Sequence, residues 1–171
     1  MAIGSDDDFT DYVRSRWIPL VRSARLLGCG PAEAEDLVQV ALVRCYGSWS
    51  RVAAASSPDA YVYRTLVNCL AKSRRRRWWG EIPVDHVPEH GSWAPDHAVA
   101  ASTALPLHDA LARLVPEQRA VLVLRFYADL TEQQTAAALG IALGTVKSRT
   151  ARALAALGRD DAIADLHHDR A

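Results

Sequence analysis

The chain lacks several things, and each absence narrows what it can be. In 171 residues there is no apolar run of the roughly 20 residues that a bilayer-spanning helix needs, so no membrane segment is expected. The acidic start, Ser5-Asp6-Asp7-Asp8, is unlike a signal peptide, and the expected location is the cytoplasm. Cysteine is scarce: Cys29, Cys45 and Cys69 are odd in number and form no CxxC pair, which argues against a disulfide framework or a zinc knuckle. There is no GxxxxGK[ST] or GxGxxG loop, no HExxH and no GxSxG, and no pair of acids is placed with a base or metal partner. No catalytic residue, cofactor or metal site is therefore expected, and an enzyme is the weakest class. His86, His90 and His97 share one Pro-rich stretch with no cysteine nearby, a poor setting for a metal.

Net charge is also absent, but only in the sum. Residues 1–79 hold 12 basic and 8 acidic groups, residues 80–104 hold 4 acidic and no basic ones, and residues 105–157 hold 6 basic and 4 acidic. The tail from residue 158 holds 2 basic and 4 acidic groups. Two basic lobes thus flank an acidic connector, a distribution compatible with nucleic-acid binding that whole-chain charge would hide.

What is present is organised around residues 131–157, TEQQTAAALGIALGTVKSRTARALAAL. Thr131 suits a helix N-cap, Gln134 is placed for a capping box, and Gly140 suits a left-handed C-cap after a first helix ending at Leu139. A second helix starts near Gly144. Val146, Thr150, Ala153 and Leu157 share its packing face; Thr145, Ser148, Arg149 and Arg152 share the other. A basic helix face is often only a solvated face, but this pair has the layout of a helix-turn-helix reading DNA with its second helix.

The rest of the chain reads as helices. The first spans Asp7–Leu27, with Phe9, Val13, Trp17, Leu20, Ala24 and Leu27 at helical spacing and Pro19 expected to kink or break it. The second spans Pro31–Tyr46. Ala34, Leu37, Val38, Ala41, Leu42 and Cys45 form its core stripe, and Asp36, Gln39, Val40 and Val43 form a mixed outer face that fits a docking surface or a second buried side. Gly47–Ser57 is expected to be a loop, with Trp49 and Arg51 its only large side chains. Pro58 opens a third helix to about Arg77, with Arg64, Asn68, Lys72 and Arg75 in one row. It ends in Arg74–Arg77 followed by Trp78-Trp79, more cation than helix-end capping requires and suited to phosphates with an aromatic beside them. Residues 80–104, with Pro83, Pro88 and Pro95, read as a flexible tether. Leu107, Leu111 and Leu114 line the next helix, and a further one runs from Pro116 to Tyr127 with Val121, Leu124 and Phe126 inward.

Three stretches together resemble the RNA polymerase sigma factors of the extracytoplasmic-function type. AEDLVQVALVRCYGSW (34–49) is similar to the helix that docks on polymerase. PDAYVYRTLVNCLAKSRRRRWW (58–79) is similar to the helix that reads and opens the −10 element. LVPEQRAVLVLRFYADLT followed by LGIALGTVKSRTARAL resembles the domain that reads the −35 element. The resemblance implies an all-α fold of two small helical domains, 1–79 and 105–157, joined by a flexible acidic linker at 80–104, with an acidic tail at 158–171. It implies a factor that binds core RNA polymerase and promoter DNA, duplex at −35 and single-stranded at −10, with an anti-sigma protein as a candidate further partner. By position, Asp36, Leu37, Gln39, Val40 and Val43 would meet polymerase. Trp49, Arg51, Asn68, Lys72, Arg74 and Arg75 would meet the −10 strand, with the 47–57 loop holding a flipped base. Thr145, Lys147, Ser148, Arg149 and Arg152 would meet the −35 groove.

Some positions depart from the family pattern. Val40 stands where an acid is common, Lys72 where Asp is common, and Gln134-Thr135 replaces Glu-Ile. Ala142 replaces a capping Ser, and Thr150 replaces an apolar core residue. The alternative reading is a free-standing helix-turn-helix regulator, which would need neither the Arg74–Trp79 cluster nor the Asp36–Val43 face.

Overall fold

The computed structural model describes residues 5–78 and 101–159, with side chains 76–78 and 101–106 outside that description; the described residues are helical, with no strand among them. Of the expected tether at 80–104, residues 80–100 with the three histidines lie outside the described residues, as does the expected tail from residue 160 on.

Helix α1, Asp6–Leu26, is capped by Ser5, whose hydroxyl accepts the Asp8 amide at 3.2 Å. Asp6, Asp7 and Asp8 in its first turn oppose the positive end of the helix dipole. The expected break at Pro19 does not occur: the helix runs through it, held on its far side by buried Leu20, Ser23 and Ala24. It ends at Gly28, whose φ of +99° needs glycine, with the Cys29 amide reaching back to Ala24 O at 3.1 Å. Pro31 then opens α2, Pro31–Tyr46, and all six expected stripe residues of α2 are buried.

Residues 47–57 were expected to be a loop, but Trp49–Ala53 forms a short helix, α3. Its cause is tertiary. The Trp49 indole N–H donates to Asp8 Oδ2 at 3.0 Å, and its ring meets Phe9 at 5.1 Å and Tyr12 at 4.9 Å. Helix α4, Pro58–Trp78, buries Val62, Tyr63, Leu66, Cys69 and Leu70, and the Tyr63 and Ser23 hydroxyls bond at 3.1 Å.

Helix α5, Ala101–Arg113, starts inside the stretch read as linker. Leu111 and Leu114 are buried as expected, whereas Leu107 faces solvent. The helix from Pro116 is α6, Pro116–Leu122, continued by a π turn over Val123–Tyr127. Val121 and Leu124 point inward, but Phe126 is 62% exposed, because two residues past Leu124 is about 200° around the axis. Asp129, at φ 54°, turns the chain into α7, Glu132–Leu139. There the expected capping box is complete: the Thr131 hydroxyl accepts the Gln134 amide at 3.1 Å, and Gln134 Oε1 accepts the Thr131 amide at 2.8 Å. Gly140, at φ 65°, takes the left-handed C-cap, and α8 spans Leu143–Leu157.

The α1–α4 and α5–α8 halves share a core. Val123, Leu124, Leu130 and Ala138 join the cluster built by α1, α2 and α4, and α7 packs along α4. A smaller cluster of Leu111, Leu114, Leu122 and Ala153 receives Leu26 from α1.

Candidate polymerase and nucleic-acid interfaces

The outer face of α2 presents Asp36, Gln39, Val40 and Val43, all exposed, with Val43 at 71%. Leu37 is a correction to the expected set. It is 6% exposed and belongs to the core, as its place in the Ala34–Cys45 stripe requires, so it is not a surface contact. Tyr46, half-exposed and three residues beyond Val43, extends the row. Its hydroxyl donates to Asp6 Oδ1 at 2.9 Å, and that carboxylate raises its pKa. The i, i+3 spacing from Val43 could have revealed it.

On α4, Asn68, Lys72 and Arg75 are exposed in one row, continuing from Arg64. Arg74 differs: its Nη2 donates to Leu27 O at 2.6 Å, capping the carbonyl end of α1. Arg51, on α3, is exposed. Trp49 is the second correction: at 5% exposure, with its N–H committed to Asp8, it offers no free ring for stacking on a base. Of the arginine-tryptophan run, the side chains from Arg76 to Trp79 lie outside the described ones.

On α8, Val146 and Ala153 are buried, and Lys147, Ser148 and Arg152 are exposed, with Thr145 and Arg149 half-buried beside them. Ser148 Oγ donates to Thr145 O at 3.2 Å, and Lys147 Nζ lies 3.8 Å from Glu132 Oε2 on α7. That pair is largely exposed and adds little stability. The departures have visible consequences. Ala142 caps α8 without a side-chain bond. Thr150 satisfies its hydroxyl by donating to Val146 O at 2.8 Å. Thr135 is fully buried, and its Oγ1 finds no partner among the described residues.

Beneath the α1–α4 contact, Asp59 accepts Tyr12 OH at 2.8 Å and pairs with Arg16 at 2.8 Å. Burial, then the Asp59 charge, drives the Tyr12 hydroxyl well above the ordinary tyrosine range, so it remains a neutral structural donor. Burial likewise raises the Cys45 thiol. Among the described residues no three His, Cys, Asp or Glu side chains are grouped to hold a metal, and no helix is long and apolar enough to cross a membrane.

Comparison with known proteins identifies the family of the chain. Residues 10–80 match the Sigma-70 region 2 family, and residues 104–157 match the family described as Sigma-70, region 4. The chain is 41% identical to the RNA polymerase sigma-E factor of Streptomyces avermitilis over 92% of this chain and 87% of that one. It is 36% identical to the ECF RNA polymerase sigma factor SigM of Mycobacterium tuberculosis over 88% and 76%. Among solved structures, it resembles the sigma factor RpoE of Bartonella quintana, solved in complex with the anti-sigma factor NepR, at a TM-score of 0.73 and 27% identity over 88% of this chain and 94% of that one. CnrH, solved with the cytosolic domain of CnrY, shares the fold at a TM-score of 0.63 and 22% identity, over 92% and 89%. With relatives this similar over nearly its whole length, and with both sigma-70 regions in order, the chain belongs to the ECF RNA polymerase sigma factors.

Proposed function

We propose that this sigma factor docks on core RNA polymerase through Asp36, Gln39, Val40 and Val43 and works in the cytoplasm without chemistry of its own. Asn68, Lys72 and Arg75, with Arg51 beside them, hold the single-stranded −10 element. Thr145, Lys147, Ser148, Arg149 and Arg152 read the −35 duplex. Residues 1–79 and 101–157 are the two working domains, the second beginning with α5 at Ala101 rather than at 105, with 80–100 the connector and 158–171 a tail. Capture of unstacked bases offsets the cost of strand opening, a few kcal/mol per base. An anti-sigma protein is a further partner, by analogy with the RpoE–NepR complex.

The observation that carries this reading is two exposed polar and basic rows, on α4 and on α8, in a chain of this family. They cannot work as they stand. The −35 and −10 elements are about 25 base pairs apart, or about 85 Å at ~3.4 Å per base pair. Helices α4 and α7, by contrast, are in contact. Reading both elements at once requires the two halves to part, and polymerase is the partner that would hold them apart.

Run-off transcription with purified core polymerase on genomic fragments tests the reading. Start sites should appear only when the chain is added. Asp36→Arg with Gln39→Ala should abolish polymerase binding while leaving the helical circular dichroism unchanged. Duplex binding by the chain alone, without any polymerase-dependent transcript, would favour the free-standing regulator.

A further inference from the structure

Where the two halves meet, positive charge faces positive charge across a glycine. A Cβ on Gly28 would lie 2.5 Å from Arg119 Nη1 and 3.3 Å from Arg74 Nη2, so both guanidinium groups lean over the same bare backbone. Arg74 comes from α4 and Arg119 from α6. Arg74 spends one donor on Leu27 O, and Arg119 spends Nη2 on Ala112 O at 2.6 Å and Leu114 O at 3.2 Å. A guanidinium has five N–H donors, so several remain. Arg119 Nε, and Arg25 Nε on the last turn of α1, are buried with no hydrogen-bond partner among the described residues. The ion pairs among the described residues involve other side chains, and none brings a carboxylate to Arg25, Arg74 or Arg119. Burial and the neighbouring Arg74 both lower the Arg119 pKa, as expected for a cation without a counter-charge.

We propose that the notch formed by Gly28, Arg74 and Arg119 binds a tetrahedral oxyanion of the phosphate class, and that this anion clasps the two halves together. Planar guanidinium forks match phosphate oxygens in pairs, and one anion between Arg74 and Arg119 turns a mutual repulsion into a bridge. Because Arg74 and Gly28 belong to one half and Arg119 to the other, losing the anion favours the parted form. The inference rests on the sigma reading above, in which the parted form is the working one. The same chemistry is offered by free phosphate and by the phosphodiesters of a nucleic acid.

The test uses the full chain, with inorganic phosphate replacing chloride at constant ionic strength. Small-angle scattering should show the radius of gyration falling, saturably, toward the roughly 15–16 Å of a compact chain of this length. The thermal midpoint should rise in step. Arg119→Gln and Arg74→Gln should each shift half-saturation upward at least about tenfold, equivalent to ~1.4 kcal/mol, whereas Arg14→Gln, at an exposed arginine on α1, should respond as wild type does. If Arg119→Gln does not fold, Arg119→Lys keeps the charge and loses the fork, and Arg74→Gln tests the other half independently. A short non-promoter duplex and its uncharged methylphosphonate analogue identify the source. Compaction by the first alone assigns a phosphodiester, and compaction by inorganic phosphate alone assigns the free ion. No response beyond that to chloride, or variants that respond like wild type, overturns the site. Promoter-dependent transcription by the same preparation would then show that the sigma reading survives, and its absence that the sigma reading has failed.

Discussion

Helices α4 and α8 carry similar exposed chemistry on very different supports. Five side chains of α4 (Val62, Tyr63, Leu66, Cys69 and Leu70) are buried in the larger core, and Tyr63 is tied to Ser23. Helix α8 buries only Val146 and Ala153, begins at an uncapped alanine, and neighbours an α7 whose buried Thr135 hydroxyl has no partner among the described residues. The difference follows the tasks proposed for them. A helix that keeps a separated strand apart works against restacking and needs a rigid base. A helix that reads an intact groove needs only its side chains in register.

The largest effect should come from testing that difference in stability. Leu66→Ala removes a fully buried side chain of α4 and should cost about 2–5 kcal/mol in urea unfolding. Val146→Ala removes two carbons from beneath α8, about 1.6 kcal/mol at ~0.8 per carbon. Equal costs would erase the contrast between the two supports.

The functional counterpart is Asn68→Ala with Arg75→Ala, both exposed on α4. Closed-complex formation by polymerase should stay largely intact, while permanganate-reactive thymines near the start site disappear and a pre-melted template restores transcription. A general loss of duplex affinity, relieved at low salt, would instead mean that the row serves only as a nonspecific phosphate contact.

How much of this was legible in the sequence divides along a physical line. Periodicity and caps are local, so the six-residue stripe of α2, the Thr131–Gln134 box and Gly140 at its C-cap appear where the sequence places them. The misses are tertiary. Trp49 looks like a free loop aromatic until Asp8, Phe9 and Tyr12, some 40 residues earlier, close around it. Leu37 fits both a core stripe and, by family position, a polymerase contact, and burial decides for the core. Pro19 fails to break α1 because the residues after it are held by packing that local propensity does not register. The Gly28–Arg74–Arg119 meeting joins segments about 46 and 45 residues apart, and no pattern within either predicts it. Among the site residues, the exposure of Asn68, Lys72, Ser148 and Arg152 follows from helical phase alone, whereas Lys147 lies off that face and is indicated only by family position.

A smaller effect, confined to α8, should follow from Arg149→Ala and Arg152→Ala. Each specific contact to a base or phosphate is worth roughly 1–3 kcal/mol, so each change should weaken promoters that depend on a −35 element about 5- to 150-fold. Promoters carried by the −10 element should be spared. A transcription profile unchanged in the double variant would contradict the assignment of that face.

The smallest effect, and the one that most directly sharpens the contrast, concerns the start of α8. Helix α7 begins with a hydroxyl on its third amide, Thr131 to Gln134 at 3.1 Å, whereas α8 begins at Ala142 with extended backbone and no side-chain bond. Ala142 sits at φ −68° and ψ 148°, the geometry from which a serine oxygen reaches the second or third amide of the helix. Ala142→Ser should therefore stabilise the protein by about 1 kcal/mol without displacing any packed side chain, because residue 142 is exposed. If the weak support of α8 lets its reading face adjust, the same change should also narrow promoter preference at the −35 element, seen as a wider spread of run-off rates across a −35 library. A gain in stability with an unaltered spread would show that the missing cap is a stability defect alone, and that Thr145 to Arg152 are held in register by Val146 and Ala153 without it.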